Sequence, residues 1–166
     1  VVGFGGGRGD RGRRLRRALG EREGRFEADR LRRLRGIRFA ARFDLAIDPA
    51  TEAAITARAD RLAGVSRERV GHELRRMLAD PGRVIAAQLA ESTGLDRTIL
   101  GDSRTGARRF DLLAGFPAKV EWIDALVAWE LDRASPTHMV ERLGEHLVLS
   151  NEERLDVAEL LKTRRR

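Results

Sequence analysis

The 166-residue sequence contains no cysteine, which excludes disulfides, a thiolate nucleophile and cysteine-ligated zinc or iron–sulfur centres. Its three histidines, His72, His138 and His146, are scattered, and the last two lack a third ligand nearby, so no metal site is expected in the chain. No apolar run approaches the roughly 18 residues of a membrane span, and no secretory signal opens the sequence. A soluble, cytoplasmic protein with no membrane partner is expected. Aromatic residues make up only 5% and the only lysines are Lys119 and Lys162. Hydrophobic content of 42% is nevertheless enough for folding, and the length suits one good core or two small ones at about 150 residues per domain.

What is abundant is arginine, and it is unevenly placed. Residues 1–43 carry 14 Arg against five acids (Asp10, Glu21, Glu23, Glu27, Asp29), a net charge of +9, while residues 44–166 are close to neutral at −2. A codon bias explains arginine in preference to lysine, but not a concentration at one end. Guanidinium groups gathered on one segment suit phosphate, whose oxygens they contact bidentately.

Almost every segment reads as helix. Residues 1–12 are Gly-rich behind two valines and Phe4, which fits a short strand running into a hinge. From Phe26 to Phe43 the apolar positions Leu31, Leu34, Ile37 and Ala41 have helical spacing. Asp48 followed by Pro49 opens a helix to about Leu62 with Ala53, Ile55 and Leu62 inward. Ser66 caps the next, which turns Val70, Leu74, Met77 and Leu78 to one side. Asp80–Pro81 starts another, with Val84, Ile85 and Leu89 inward and Gly94 as its stop. Residues 101–109 are a polar loop and the best internal boundary. Beyond it come a Trp-containing helix over Lys119–Leu131, a start at Ser135–Pro136, and a capping box at Ser150 and Glu153. Residues Arg164–Arg166 read as a frayed tail. The expected fold is all-α: short helices packed as pairs in an elongated bundle, with a hinge or strand stub at the N-terminus. The expected divisions are a basic hinge segment at 1–25, a nucleotide- and RNA-binding helical domain at 26–100, and a helical body or tail at 107–166.

Few residues carry chemistry. Ser150 has no partner histidine and reads as a cap; His72 reads as a surface group; Trp122 and Trp129, seven apart, read as core. Gly5–Gly7 lack the Gly-Lys-Ser/Thr of a phosphate loop. The densest stretch is Phe26–Phe39. Within it Asp29 and Arg32 are three apart and share a helix face. The plain alternative is a surface ion pair worth a few tenths of a kcal/mol. The sharper one is a base-reading pair: the carboxylate accepts from the exocyclic amine of cytosine or adenine while the guanidinium donates to the adjacent ring nitrogen.

The run Asp29-x-x-Arg32-x-x-Arg35, with Ile37-Arg38-Phe39-Ala40-Ala41-Arg42-Phe43 and Ile47-Asp48-Pro49, resembles the neck of the class II tRNA nucleotidyltransferases. These are the CCA-adding enzymes, to which bacterial poly(A) polymerase is closely related. Phe4-Gly5-Gly6-Gly7-Arg8-Gly9-Asp10 resembles the hinge before that neck, although Gly3 and Arg11 depart from the usual pattern. Val65-Ser66-Arg67-Glu68-Arg69-Val70, with Glu73-Leu74 and Met77-Leu78, is similar to the motif on the helix after it. Leu147–Arg154 is similar to a segment of the body and tail. The resemblance implies that Asp29 and Arg32 act as a protein template for incoming CTP or ATP. Arg35 matches a further nucleotide-binding arginine, and the helices after the neck support it and hold tRNA. Ala28 stands where the family has an acid. The family's head binds Mg2+ through an Asp-x-Asp pair, and no Asp-x-Asp occurs in these 166 residues. The metal ligands are therefore expected in a head outside this chain, in cis or in trans, and the chain alone is expected to be inactive. Two other functions fit the same residues: a poly(A) polymerase-like fragment, and a non-catalytic helical RNA-binding module.

Overall fold

The computed structural model describes residues 30–103, 105 and 109–163. The described residues form nine α-helices and one 3-10 helix and contain no strand, in agreement with the all-α expectation. The N-terminal hinge or strand stub falls outside them.

Helix α1 (Arg32–Arg42) buries Leu34, Ile37 and Ala41 along one side. It ends where Asp44 adopts a left-handed backbone (φ 49) and the Leu45 N–H donates to the Ala40 carbonyl at 2.8 Å, the 6→1 bond of a Schellman stop. Helix α2 (Pro49–Thr56) begins as the sequence indicates, with Asp48 accepting from the N–H groups of Ala50 and Thr51. It does not run to Leu62. It breaks after Ala57, and residues Ala59–Gly64 form the 3-10 helix. The Arg58 carbonyl accepts from the Arg61 N–H within it and also receives the Arg33 side chain, while the Ala59 carbonyl receives Thr98. Ala53 is consequently exposed, whereas Ile55 and Leu62 are buried as expected.

Helix α3 (Arg67–Ala79) is capped by Ser66, which accepts from the Arg69 N–H, and buries Val70, Leu74, Met77 and Leu78. Helix α4 (Arg83–Thr93) starts two residues later than Asp80–Pro81 predicts. Asp80 instead accepts from the Gly82 N–H at 2.9 Å. A Cβ at Gly82 would lie 2.7 Å from the Ala41 carbonyl oxygen, so only glycine lets the chain pass α1 this closely before turning into α4. That approach also corrects the expected inward face. Ile85 is 39% exposed and Val84 and Leu89 are only partly covered, while Ala86, Ala87 and Ala90 are fully buried; small side chains allow α4 to lie close against α1. Gly94 (φ 75) stops α4 as predicted.

Helix α5 (Leu95–Leu100) follows directly, then α6 (Asp111–Ala114), α7 (Trp122–Arg133), α8 (Met139–His146) and α9 (Asn151–Thr163). Ser135–Pro136 makes a turn in which the Ser135 hydroxyl accepts from the Thr137 N–H, and α8 begins only after His138 (φ 56). The predicted capping box is present in both directions: the Ser150 N–H donates to Glu153 and the Glu153 N–H to the Ser150 hydroxyl.

One cluster of buried apolar side chains extends from Leu31 to Val157, and buried polar struts cross it. Trp129, with no exposed surface, donates its indole N–H to Glu91 at 2.9 Å. The guanidinium of Arg133 reaches Glu130 at 2.6 Å, Asp96 at 2.9 Å and the Gly101 carbonyl at 3.1 Å. Burial presses the Arg133 pKa down, but these two carboxylates outweigh it and raise it. Arg133→Met leaves Asp96 and Glu130 buried with one partner fewer. It is expected to cost about 3–5 kcal/mol in urea unfolding, whereas Arg109→Ala, which breaks an exposed pair with Asp111, shifts the midpoint little.

Candidate functional site

Asp29 lies outside the described residues. Arg32 is exposed in the first turn of α1, and Arg35, one turn on, is half-covered. The Arg35 Nε donates to Glu73 Oε1 at 2.8 Å and the Arg38 Nε to Glu73 Oε2 at 3.0 Å. Spacing of three puts both arginines on the side of α1 that faces α3, and Glu73 on α3 receives both. The Glu73 side chain is 2% exposed. Burial alone would raise its pKa, but the hydrogen bonds and charges of Arg35 and Arg38 outweigh that and hold the carboxyl below its ordinary value of 4.5. Helix α3 is held to α1 through this carboxylate.

Beside the clamp a recess of about 380 Å³ opens between α1 and α3, lined by Leu31, Arg35, Glu68, Arg69, His72, Glu73 and Arg76. Its size falls within the range of small-ligand sites, and Arg35, Arg69 and Arg76 give it a cationic wall. The recess therefore unites one expected site residue, Arg35, with Arg69, named above only within a motif, and with Arg76. Their signal was present: Arg69, His72 and Arg76 repeat every three or four residues on the polar side of α3.

Further along α1 the rings of Phe39 and Phe43 stack with centroids 6.1 Å apart and planes 4° from parallel. Arg38 lies 4.4 Å from the Phe39 ring and Arg42 5.7 Å from that of Phe43. Both rings are exposed, by 40% and 54%. Open aromatic faces beside guanidinium groups are a surface on which unpaired bases stack. Helix α3 also reaches toward the C-terminal helices. Arg75 pairs with Glu153 at 3.0 Å and lies 4.5 Å from the ring of Trp122, which is only partly buried where both tryptophans were read as core.

Among the described residues no three His, Asp or Glu side chains are grouped so as to hold a metal ion. No helix among them is long and apolar enough to cross a membrane.

Residues 44–101 match the family model described as the probable RNA and SrmB-binding site of polymerase A. The chain is 40% identical over 96 residues to the CCA-adding enzyme of Geobacillus stearothermophilus, an alignment covering 58% of this chain and 24% of that enzyme. It is 37% identical over 95 residues to the CCA-adding enzyme of Lactobacillus gasseri, covering 57% of this chain and 24% of the relative. It is 46% identical over 71 residues to the tRNA nucleotidyltransferase cca2 of Schizosaccharomyces pombe, covering 41% and 15%. The chain thus spans about a quarter or less of the curated relatives it matches. No solved structure matches it. The fold is that of an all-helical segment, and the relatives it matches are named as CCA-adding enzymes and a tRNA nucleotidyltransferase. These matches support a likeness to the C-terminal part of the class II CCA-adding and poly(A) polymerase family.

The Glu73 clamp has a pH signature. Its folded pKa is depressed, so its contribution is complete above the ordinary carboxyl value and is lost as pH falls through the lowered one. Glu73→Gln keeps the shape but removes the charge that two guanidinium groups need. It is expected to cost about 2 kcal/mol at neutral pH and to flatten the stability profile below pH 4.5, both measured by urea unfolding across pH.

Proposed function

We propose that the chain is the nucleotide-selecting and RNA-holding part of a CCA-adding tRNA nucleotidyltransferase. The observation that carries this reading is the 40% identity over 96 residues to an enzyme of that name. The Asp29/Arg32 pair reads CTP and ATP by accepting from their exocyclic amine and donating to the neighbouring ring nitrogen, a polarity that UTP and GTP do not offer. The clamp of Arg35 and Arg38 on Glu73 supports this reading because a template must be held at a fixed distance and angle to discriminate between bases. The cationic wall of Arg35, Arg69 and Arg76 lies next to it and suits phosphate. Phosphoryl-transfer chemistry, with its Mg2+, belongs to a catalytic head acting with this chain in cis or in trans.

The family model's own description, which names polymerase A and RNA, favours a second reading in which only A is added to an RNA end. Pairing the chain with a functional head and comparing labelled CTP with ATP separates the two: incorporation of both supports CCA addition, and ATP alone supports the second reading.

In such a head-bearing enzyme Asp29→Ala is expected to remove about 1–3 kcal/mol of discrimination against UTP and GTP, while tRNA affinity changes little. Competition between nucleotides in single-turnover incorporation, beside a tRNA binding titration, measures both. Unchanged discrimination would sink the template assignment, and salt-dependent RNA binding that survives the substitution would leave a non-catalytic RNA-binding module.

A further inference from the structure

Helix α3 carries four arginines, and they are placed differently. Arg67 donates to the Glu145 carbonyl at 2.9 Å and Arg75 pairs with Glu153 at 3.0 Å, so both tie the helix to the C-terminal part of the chain. Arg69 and Arg76 are exposed and line the recess of about 380 Å³ beside Glu73. His72 lines it between them, on the same side of the helix, because positions 69, 72 and 76 follow one another at spacings of three and four. At 1.5 Å per residue the two arginine positions stand about 10 Å apart along the helix. A buried apolar side chain, Leu31 at the start of α1, lines the recess as well. Two carboxylates share the lining. Glu73 has each oxygen engaged, by Arg35 and by Arg38, so its charge is met within the fold. Glu68 is exposed in the first turn of α3, where hydrogen bonds from its own backbone N–H and from Ser66 lower its pKa. Its charge stands at the rim and opposes an anion.

An open recess with guanidinium groups along one side and an apolar side chain against it suits a strand whose phosphates alternate with base faces. We propose that the recess takes the backbone of bound RNA, with Arg69 and Arg76 donating to phosphodiester oxygens and His72 adding a ring N–H beside them. Arg69, His72 and Arg76 all lie within residues 44–101, the region matched to a probable RNA-binding site, whereas Asp29 and Arg32 precede it. The assignment deepens the phosphate reading above and rests on the RNA-holding role proposed there: the phosphate belongs to RNA and not to the incoming nucleotide. Phosphate contacts fix where a strand lies and carry no sequence information. Arg35 shares the lining and is held by Glu73, so a strand seated here is kept at a set distance from α1, the helix that carries Arg32.

The test titrates labelled tRNA and, separately, CTP with Mg2+ against the 166-residue chain over a range of salt. The parent is expected to bind tRNA with log affinity falling linearly against log salt. Arg69→Gln and Arg76→Gln, at exposed positions that leave folding intact, should each weaken tRNA binding about three- to tenfold and reduce that slope by about one. Glu68→Gln should strengthen it by about two- to threefold, because it removes the acid that opposes the strand. Changes of opposite sign from neighbouring positions cannot arise from loss of folding. Arg97→Gln removes another exposed arginine of the same matched region, paired with Asp102 at 3.7 Å, and should change binding by less than about twofold. If Arg69→Gln and Arg76→Gln bind tRNA as the parent does, or Arg97→Gln weakens it as much as they do, the site is overturned while the parent's own binding upholds the RNA-holding reading. If they weaken CTP and leave tRNA unchanged, the phosphate is the nucleotide's and the assignment to RNA is overturned. A parent that binds no tRNA overturns the RNA-holding reading and this site with it.

Discussion

Glu73 receives two guanidinium groups from one helix at 2.8 and 3.0 Å. Helix α1 is Arg-Arg-Leu-Arg-Gly-Ile-Arg-Phe-Ala-Ala-Arg, five arginines and no acid in 11 residues. A helix of that composition gains nothing electrostatically from being packed into a core, because each charge must be desolvated or turned outward. Its apolar side, Leu34, Ile37 and Ala41, nevertheless has to be buried. A carboxylate placed on the neighbouring helix, within reach of both Arg35 and Arg38, lets the apolar side pack while two of the charges are neutralised together. The depressed Glu73 pKa is the same balance seen from the acid: hydrogen bonds and charge exceed the cost of burial.

The helix carrying Glu73 does a second task. Arg75, two residues on, pairs with Glu153 at the start of α9 and lies over Trp122 at the start of α7, while Arg67 donates to the Glu145 carbonyl. Helix α3 therefore meets α1 through an acid and the C-terminal helices through bases. The recess lined by Arg35, Arg69 and Arg76 sits where the first of these contacts is made. Any ligand in it would touch both α1 and α3, so its position is tied to the geometry of the clamp rather than to a loop.

Much of this was legible in the sequence, and the reasons are local. Asp48, Ser66 and Ser150 are N-caps because a short oxygen-bearing side chain before a helix satisfies N–H groups that have no other partner. Gly94 stops a helix because it takes the left-handed backbone freely. The errors arise where a distant group decides. The break after Ala57 comes where Arg33 and Thr98, from other helices, reach the carbonyls of Arg58 and Ala59. The late start of α4 depends on how closely Gly82 passes Ala41. At the site, Arg35 was visible because family pattern marks it, whereas its partner Glu73 was visible only as part of a motif. No spacing rule links positions 38 residues apart. The spacing of Arg69, His72 and Arg76 marks a polar side of α3, but that this side closes against Arg35 is likewise a tertiary fact.

Arg33 and Arg38 show two ways in which one helix meets buried charge. Both project from α1 and both are almost wholly covered. Arg38 meets a carboxylate fixed by another helix, so its charge is balanced before any ligand arrives and it serves as a strut. Among the described residues Arg33 instead donates to the Arg58 carbonyl, and burial together with the charges of Arg58, Arg61 and Arg30 lowers its pKa. The two sides of α1 thus differ in how their charge is met: toward α3 a carboxylate fixed by another helix receives Arg35 and Arg38, while Arg33 turns to a backbone carbonyl of the 3-10 segment.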